Sequence, residues 1–182
     1  MFNKQPYILI WNNICKYIKK INKGTILNTL KKNRKIGSEA PAVRVKMLNG
    51  ETKVIGMMAA KVQTMITLPY SDSLSDKLEN IIKKHEVNSL IYIISSQTLN
   101  KEINKENSSV EFTEFCVKMG VNRDDELCDK SIFIINKDGE IVYKEILEDL
   151  KSEFDLEKFD SSLDEAIKFK KKGHTHENWM GA

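Results

Sequence analysis

The sequence has few of the residues that build disulfide scaffolds, metal clusters or membrane spans. Its three cysteines, Cys15, Cys116 and Cys128, are too few and too scattered for a disulfide framework or a cysteine-based zinc site. No apolar run approaches the roughly 18–20 residues that a membrane-spanning helix needs, so an integral membrane protein is not expected. Because cysteine is scarce, the default expectation is a reducing, intracellular compartment.

Acidic residues are missing from the first part of the chain. The first is Glu39, and nine of the 29 lysines and arginines precede it. The rest of the chain then holds 20 basic against 26 acidic residues, a balance of −6, although the formal net charge of the whole chain is +3. The sequence therefore predicts a mildly acidic body with a basic N-terminal arm. Such an arm is typical of proteins that contact an anionic partner, or of a targeting signal.

The arm covers residues 1–35 and is predicted to carry an amphipathic helix. Ile10, Ile14 and Tyr17 fall on one helical stripe, and Gly24 interrupts the segment. An arm that is basic and lacks acids is similar to a mitochondrial presequence, although lysine stands where arginine is usual. The alternative is a surface helix packed on the domain. The residues that would contact a partner or RNA are Lys16, Lys19, Lys20, Lys31, Lys32, Arg34, Lys35 and, in the tail, Trp179.

The body is predicted to be one domain, residues 36–170, followed by a tail at residues 171–182. At 182 residues and 41% hydrophobic content, the chain has enough apolar material for a core. Alternating or fully apolar segments predict strands, with hairpin turns at Asn49-Gly50 and Asp138-Gly139. The predicted strands are Val43–Met47, Lys53–Ile55, Val62–Leu68, Leu90–Ser95, Ile132–Ile135 and Ile141–Tyr143.

Three segments show helical spacing of apolar residues. The first begins near Leu74 and ends at Lys83-Lys84, the second ends at Gly120, and the third is carried by Leu156 to Ile167. The polar stretch Gln97–Val110 is predicted to be a loop or a loosely held helix. This order of strands and helices predicts an α/β, thioredoxin-like fold, with a mixed sheet flanked by helices and an antiparallel edge.

Four motifs in this order resemble the peroxiredoxins, most closely the thiol peroxidase branch. They are Gly37-x-x-Ala40-Pro41, the strand that leads into Pro69, Phe115-x-x-x-x-Gly120-Val121, and the segment from Ser131 to Tyr143. Together they cover the chain from about Ile36 to Ile167. The resemblance implies a peroxiredoxin-type thioredoxin fold, which in many members pairs with a second copy.

The resemblance also implies where the chemistry would lie, and the chain departs from the pattern there. In the family, a motif Pro-x-x-x-Thr/Ser-x-x-Cys supplies a thiolate that attacks peroxide, with an arginine nearby. Here Pro69 and Ser73 match, but Asp76 stands at the nucleophile position and Lys130 at the arginine position. A carboxylate cannot be oxidised to a sulfenic acid, so we predict a fold without its peroxidase, and interpret Asp76 as a helix-start residue.

The other candidate ligands and nucleophiles carry weaker predictions. Cys116 is expected to be a buried structural thiol on a helix, and Cys128 precedes a strand without a histidine near it in the sequence. His174 and His176 with Glu177 form an incomplete metal set in the tail, and His85 is interpreted as a solvated residue at a helix end. No metal and no cofactor is predicted.

These observations favour a non-catalytic protein that acts as a structural or accessory subunit of a larger assembly. If the arm is a mitochondrial targeting signal, the assembly is expected to be mitochondrial. Otherwise the protein is expected in the cytoplasm. A basic arm favours a ribosome over a respiratory or ATP synthase complex. The expected partners are protein subunits, RNA through the arm, and a second copy of the chain. The alternative is a divergent thiol-dependent peroxidase or oxidoreductase that uses Cys116 or Cys128.

Overall fold

The computed structural model describes residues 34–101, 103–123 and 127–169, in which each helix follows a group of two or three strands. The strands are β1 Val43–Lys46, β2 Thr52–Ile55, β3 Val62–Leu68, β4 Ser89–Ser95, β5 Ser108–Ser109, β6 Lys130–Ile135 and β7 Ile141–Leu147. The helices are α1 Asp76–His85, α2 Thr113–Met119 and α3 Leu156–Lys168. The predictions for residues 1–33 and 170–182 lie outside the described residues.

Five strands form one mixed sheet in the order β5-β4-β3-β6-β7. β3 runs parallel to β4 and antiparallel to β6, and β7 closes the edge antiparallel to β6. The hairpin β1–β2 is a separate two-stranded sheet in which Val43 lies opposite Ile55. This is the thioredoxin-like arrangement that the order of segments predicts.

The sheet separates two hydrophobic cores. On one face, α2 and the β1–β2 hairpin cover Met65, Phe133 and Ile135. On the other face, α1 and α3 bring Leu78 and Phe159 against the sheet. Each core buries apolar side chains from segments that are distant in the sequence. The hydrophobic effect therefore stabilises the packed layers together, because no single element could bury these side chains alone. None of the described helices is long and apolar enough to cross a membrane.

One predicted segment is different in the structure. The stretch Gln97–Val110, predicted to be a loop or a loosely held helix, contains the short strand β5, whose residues lie opposite Ile93 and Ile94 of β4. Ser108 and Ser109 are both buried, and Ser109 Oγ donates a hydrogen bond to Lys46 O at 2.7 Å. Two serines have no apolar periodicity, so their strand depends on pairing with a distant neighbour rather than on local pattern.

Gly56 connects the hairpin to the sheet in a conformation that few residues adopt. Its φ is +89°, and a Cβ built there would lie 2.2 Å from the carbonyl oxygen of Pro41. The Gln63 side chain, which is buried, accepts a hydrogen bond from Gly56 N at 3.1 Å and donates one to Met57 O. The turn is therefore fixed by backbone contact on one side and by β3 on the other.

Substitution of Gly56 by alanine should destabilise the domain more than the same change at Gly50. Gly50 also has a positive φ, of +92°, but nothing lies within 4 Å of the position that a Cβ would take there. We expect Gly56→Ala to lower the free energy of unfolding by about 3 kcal/mol, the combined cost of left-handed strain and overpacking. Gly50→Ala should cost about 1 kcal/mol, from strain alone. Urea denaturation measures the free energy of unfolding of both variants. Equal losses would show that the nearby carbonyl oxygen of Pro41 does not make alanine more costly at position 56 than at position 50.

Candidate functional site

The candidate site lies where β3 ends and α1 begins. Pro69 follows directly after the last residue of β3, and Asp76 is the first residue of α1. Ser75 caps the helix, because its Oγ accepts a hydrogen bond from Leu78 N at 3.3 Å. Ser73 Oγ accepts from Tyr70 N at 3.2 Å, which closes the turn after the proline. The hydroxyl groups of this segment therefore satisfy backbone donors.

Asp76 points away from the protein. Its side chain is 92% exposed, and its carboxylate accepts a hydrogen bond from the ammonium of Lys101. Lys101 also contacts Glu79 Oε2 at 3.1 Å. Hydrogen bonds to Asp76 and Glu79 raise the pKa of Lys101 and outweigh the opposite effect of burial. Asp76 is thus a negatively charged helix-start residue held by a lysine that sequence reasoning did not connect with it.

Lys130, at the position where the resemblance implies an arginine, is held elsewhere. Its Nζ donates a hydrogen bond to Ser152 O at 2.7 Å and lies 5.1 Å from the centre of the Phe154 ring. Burial lowers the pKa of Lys130, and the negative charges of Glu153 and Glu145 only partly oppose this effect. Among the described residues, the cation in contact with Asp76 is Lys101 rather than Lys130. The structure therefore gives Lys130 a packing partner and a backbone acceptor.

The two described cysteines are brought together, which their sequence positions do not reveal. Cys116 is buried on α2, as expected, and Cys128 is buried in the same core just before β6. The two thiols are close enough for each to shift the pKa of the other. Ser96 Oγ also donates to Cys128 Sγ at 3.2 Å, and Cys128 N donates to Ser96 Oγ at 3.0 Å. Cys15 lies outside the described residues.

The interpretation of His85 as a solvated residue at a helix end is wrong. The side chain is only 4% exposed, and its Nε2 lies 2.7 Å from Asp160 Oδ1 on α3. Asp164 Oδ1 lies 3.9 Å from the His85 Nδ1 atom. His85 does end α1, but the packing of α1 against α3 covers its side chain. The periodicity of apolar residues within α1 gives no information about which other helix packs against it.

His85, Asp160 and Asp164 are close enough together to hold a metal ion. However, Lys84 Nζ already lies 2.7 Å from Asp160 Oδ2 and 3.6 Å from Asp164 Oδ2. The lysine ammonium therefore supplies the positive charge between these carboxylates, and the cluster is best described as an ion-paired contact between α1 and α3. The tail residues His174 and His176 lie outside the described part of the chain.

Two residues predicted for partner contact lie at the start of the described chain. Arg34 Nε donates a hydrogen bond to Lys118 O at 2.8 Å, near the end of α2, and Lys144 Nζ donates to Arg34 O at 2.8 Å. The backbone oxygen of Lys35 accepts hydrogen bonds from Ser38. The Arg34 guanidinium therefore already has an internal acceptor. The other predicted contacts, Lys16, Lys19, Lys20, Lys31, Lys32 and Trp179, lie outside the described residues.

Comparison with solved structures shows that the chain has a peroxiredoxin-like thioredoxin fold. A peroxiredoxin-like protein from Aquifex aeolicus matches with a TM-score of 0.59 and 20% sequence identity, covering 75% of this chain and 90% of that chain. The mitochondrial 2-Cys peroxiredoxin of Plasmodium falciparum matches with a TM-score of 0.55 and 18% identity, covering 73% and 94%. A thiol peroxidase from Chromobacterium violaceum matches with a TM-score of 0.56 and 12% identity, covering 74% and 88%.

The likeness lies in the fold. No protein-family model matches the sequence, and no curated protein matches it significantly. The peroxiredoxin-type fold that the motifs implied is therefore confirmed, whereas the residues at the end of β3 have to be interpreted from their own chemistry.

Loss of the Asp160 carboxylate should weaken the contact between α1 and α3 in a pH-dependent way. Burial acts to raise the pKa of Asp160, but the hydrogen bonds from Lys84 and His85 outweigh it and lower the pKa. A lowered folded-state pKa contributes stability above the unfolded value of about 4, and this contribution is lost as the pH falls through the folded-state pKa. Asp160→Asn should therefore cost about 1 kcal/mol near neutral pH, and the cost should shrink below pH ~4.

Urea denaturation of both proteins across this pH range measures the effect. Asp164→Asn is the matched control, because Asp164 lies on the same helix at longer distances, 3.6 and 3.9 Å, from Lys84 and His85. We expect a smaller loss for this variant. A loss in Asp160→Asn that stays constant from neutral to acidic pH would show that the carboxylate charge does not stabilise the contact.

Proposed function

We propose that this protein is a non-catalytic protein with a peroxiredoxin-like fold that serves as a structural or accessory subunit of a larger assembly. The observation that carries the proposal is Asp76. An exposed carboxylate, held by Lys101, stands at the first position of α1, where the resemblance implies a peroxide-reactive thiol. A carboxylate has no sulfur to oxidise, so the first step of a thiol peroxidase reaction is missing at this position.

The surroundings of Asp76 support the same proposal. In a thiol peroxidase site, a nearby cation and the helix N-terminus would lower a cysteine pKa. Here Ser75 caps the helix, and Lys130 donates to Ser152 O and stacks on Phe154. These contacts are typical of a stabilised helix start and a packed sheet end, and they account for both side chains without a catalytic role.

The basic arm supports docking into an assembly. Nine basic residues and no acidic ones precede Glu39, and a segment of this kind neutralises phosphates or addresses a protein to mitochondria. We therefore favour a mitochondrial ribosome over a respiratory or ATP synthase complex as the assembly, because RNA offers the anionic surface that this arm would bind.

Sedimentation of the native protein from gently solubilised organelles, with and without RNase, tests the assembly proposal. We expect migration with a large particle that collapses under RNase, because phosphate contacts of the arm hold the protein there. A variant with Lys31→Gln and Lys32→Gln should move to lighter fractions. The matched control replaces Lys151 and Lys158, two exposed lysines of the acidic body, by glutamine and should still sediment with the particle.

Two other outcomes would correct this proposal in different ways. A heavy particle that resists RNase would indicate a respiratory or ATP synthase complex rather than a ribosome. Migration at the mass of a monomer or dimer, 21.0 kDa for one chain, would contradict the assembly proposal and direct attention to the thiols.

The second candidate function is a divergent thiol-dependent peroxidase, which the position of Cys116 and Cys128 in one core favours. A peroxide-consumption assay with thioredoxin or glutathione as the reductant separates the two functions. We expect the protein to consume at most one equivalent of peroxide per chain, whereas an enzyme would turn over until the reductant is spent. Sustained consumption that disappears in Cys128→Ser would overturn the non-catalytic proposal.

Asp76→Cys tests whether the site at the end of β3 has kept the electrostatics of a thiol site. A thiol at the first position of α1 and beside Lys101 should have a pKa below the roughly 8.5 of a free cysteine. The rate of alkylation of residue 76, followed by mass spectrometry of its peptide over a pH series, reports this pKa. Adding Lys101→Met should raise it. A thiol at position 76 that reacts like a free cysteine in both backgrounds would contradict our placement of the site.

A further inference from the structure

The chain reverses sharply between the two buried cysteines. α2 ends at Gly120, whose φ is +78°, and the backbone then folds back so that Asn122 pairs with Cys128 in an antiparallel bridge. Asp129 N donates a hydrogen bond to Val121 O at 2.8 Å. This reversal returns Cys128 to the helix that carries Cys116, and the two side chains enter the same core.

Cys116 and Cys128 are neighbours in one core, where each affects the pKa of the other, and Ser96 contacts Cys128. The Ser96 hydroxyl lies 3.2 Å from Cys128 Sγ and accepts a hydrogen bond from Cys128 N at 3.0 Å. Ser96 itself is only half-buried, directly after the end of β4. Cys128 is fully buried, and the hydroxyl group that touches its sulfur belongs to a half-buried residue.

The two thiols differ in their electrostatics. Hydrogen bonds from the Cys116 thiol, from Ser96 and from backbone amides lower the pKa of Cys128, against the effect of burial. Burial, together with the proximity of Cys128, raises the pKa of Cys116. Because the thiolate is the nucleophilic form, Cys128 is the thiol suited to react first and Cys116 the one suited to react second.

We propose that Cys116 and Cys128 form an internal redox pair that closes to a disulfide when a small peroxide oxidises Cys128. This modification needs neither turnover nor a partner protein, so it goes beyond the proposed function and does not depend on it. The pair lies on the α2 face of the sheet, whereas Asp76 begins α1, which packs on the other face.

The reaction balances with one peroxide per pair. The Cys128 thiolate attacks one oxygen of hydrogen peroxide, the O–O bond breaks, and hydroxide leaves and takes up a proton to give water. Cys128 is then a sulfenic acid. Cys116 sulfur attacks the sulfenic sulfur, the S–O bond breaks, and a second water leaves with the proton of the Cys116 thiol. Two thiols are oxidised to one disulfide, and one hydrogen peroxide is reduced to two waters.

Treatment of the full chain carrying Cys15→Ser with hydrogen peroxide tests this proposal, because only the two core thiols remain. We expect titratable thiol to fall by two per peroxide consumed. Digestion without reductant should give a linked peptide pair that is two hydrogens lighter than its parts and separates on reduction. If both thiols can still be alkylated after unfolding, or both are oxidised singly without a linked peptide, the proposal is wrong. A linked pair found only in dimers would also overturn it.

Two sets of variants test the order of reaction. In Cys116→Ser, Cys128 should accumulate as a sulfenic acid that dimedone traps, whereas in Cys128→Ser the remaining Cys116 should stay reduced. Ser96→Ala should slow formation of the linked pair, because it removes the hydroxyl contact with Cys128 Sγ. Ser95→Ala is the matched control on the preceding residue, whose hydroxyl accepts from Gln97 N instead. Equal rates in the two serine variants would show that Ser96 does not assist Cys128.

Discussion

The structure depends on the burial of one central strand, β3. All seven of its residues are buried, and it pairs with β4 on one side and with β6 on the other. Side chains alternate along a strand, so Met65 belongs to the core under α2 while Ile66 and Leu68 belong to the core under α1 and α3. A shift of one residue would exchange the two sets, and both cores would lose their packing.

Polar groups on β3 fix the neighbouring segments in place. Gln63 holds the turn at Gly56 and Met57, which joins the β1–β2 hairpin to the sheet. Thr67 Oγ1 lies 2.6 Å from both Asp129 O and Ser131 Oγ, so it connects the strand with the start of β6 and with the residue that follows Cys128. Buried polar groups need partners. Gln63 finds its partners in the turn just before β3, whereas those of Thr67 lie 62 and 64 residues away in the sequence.

The elements that the sequence predicts well are those with a strong local pattern. Val62–Leu68 is predicted with its observed bounds, because a short apolar run that ends at proline has few alternatives as a strand. Gly120 ends α2 in the left-handed conformation that a helix end favours. The Asn49-Gly50 turn lies between β1 and β2, since turn chemistry is also local.

The features that sequence reasoning missed are contacts between distant segments. His85 is buried by Asp160 on another helix, and Asp76 is held by Lys101, which lies in a segment predicted to be a loop or a loosely held helix. The pairing of Ser108 and Ser109 with β4 belongs to the same class. The sequence predicts that α2 ends at Gly120, but it does not show where the chain goes next. The bridge between Asn122 and Cys128 shows that the chain folds back and brings Cys128 towards α2, which carries Cys116.

The two faces of the sheet therefore carry separate chemistry. On the face of α1 and α3, ion pairs such as Lys84 with Asp160 hold helices together, and the helix start that could activate a thiol carries a carboxylate instead. On the face of α2, two thiols lie buried in the core. Because β3 stands between them and is paired on both sides, the thiols and the start of α1 lie in separate packing environments. A peroxiredoxin-like fold can thus hold two buried thiols on one face of its sheet and a capped, ion-paired helix start on the other.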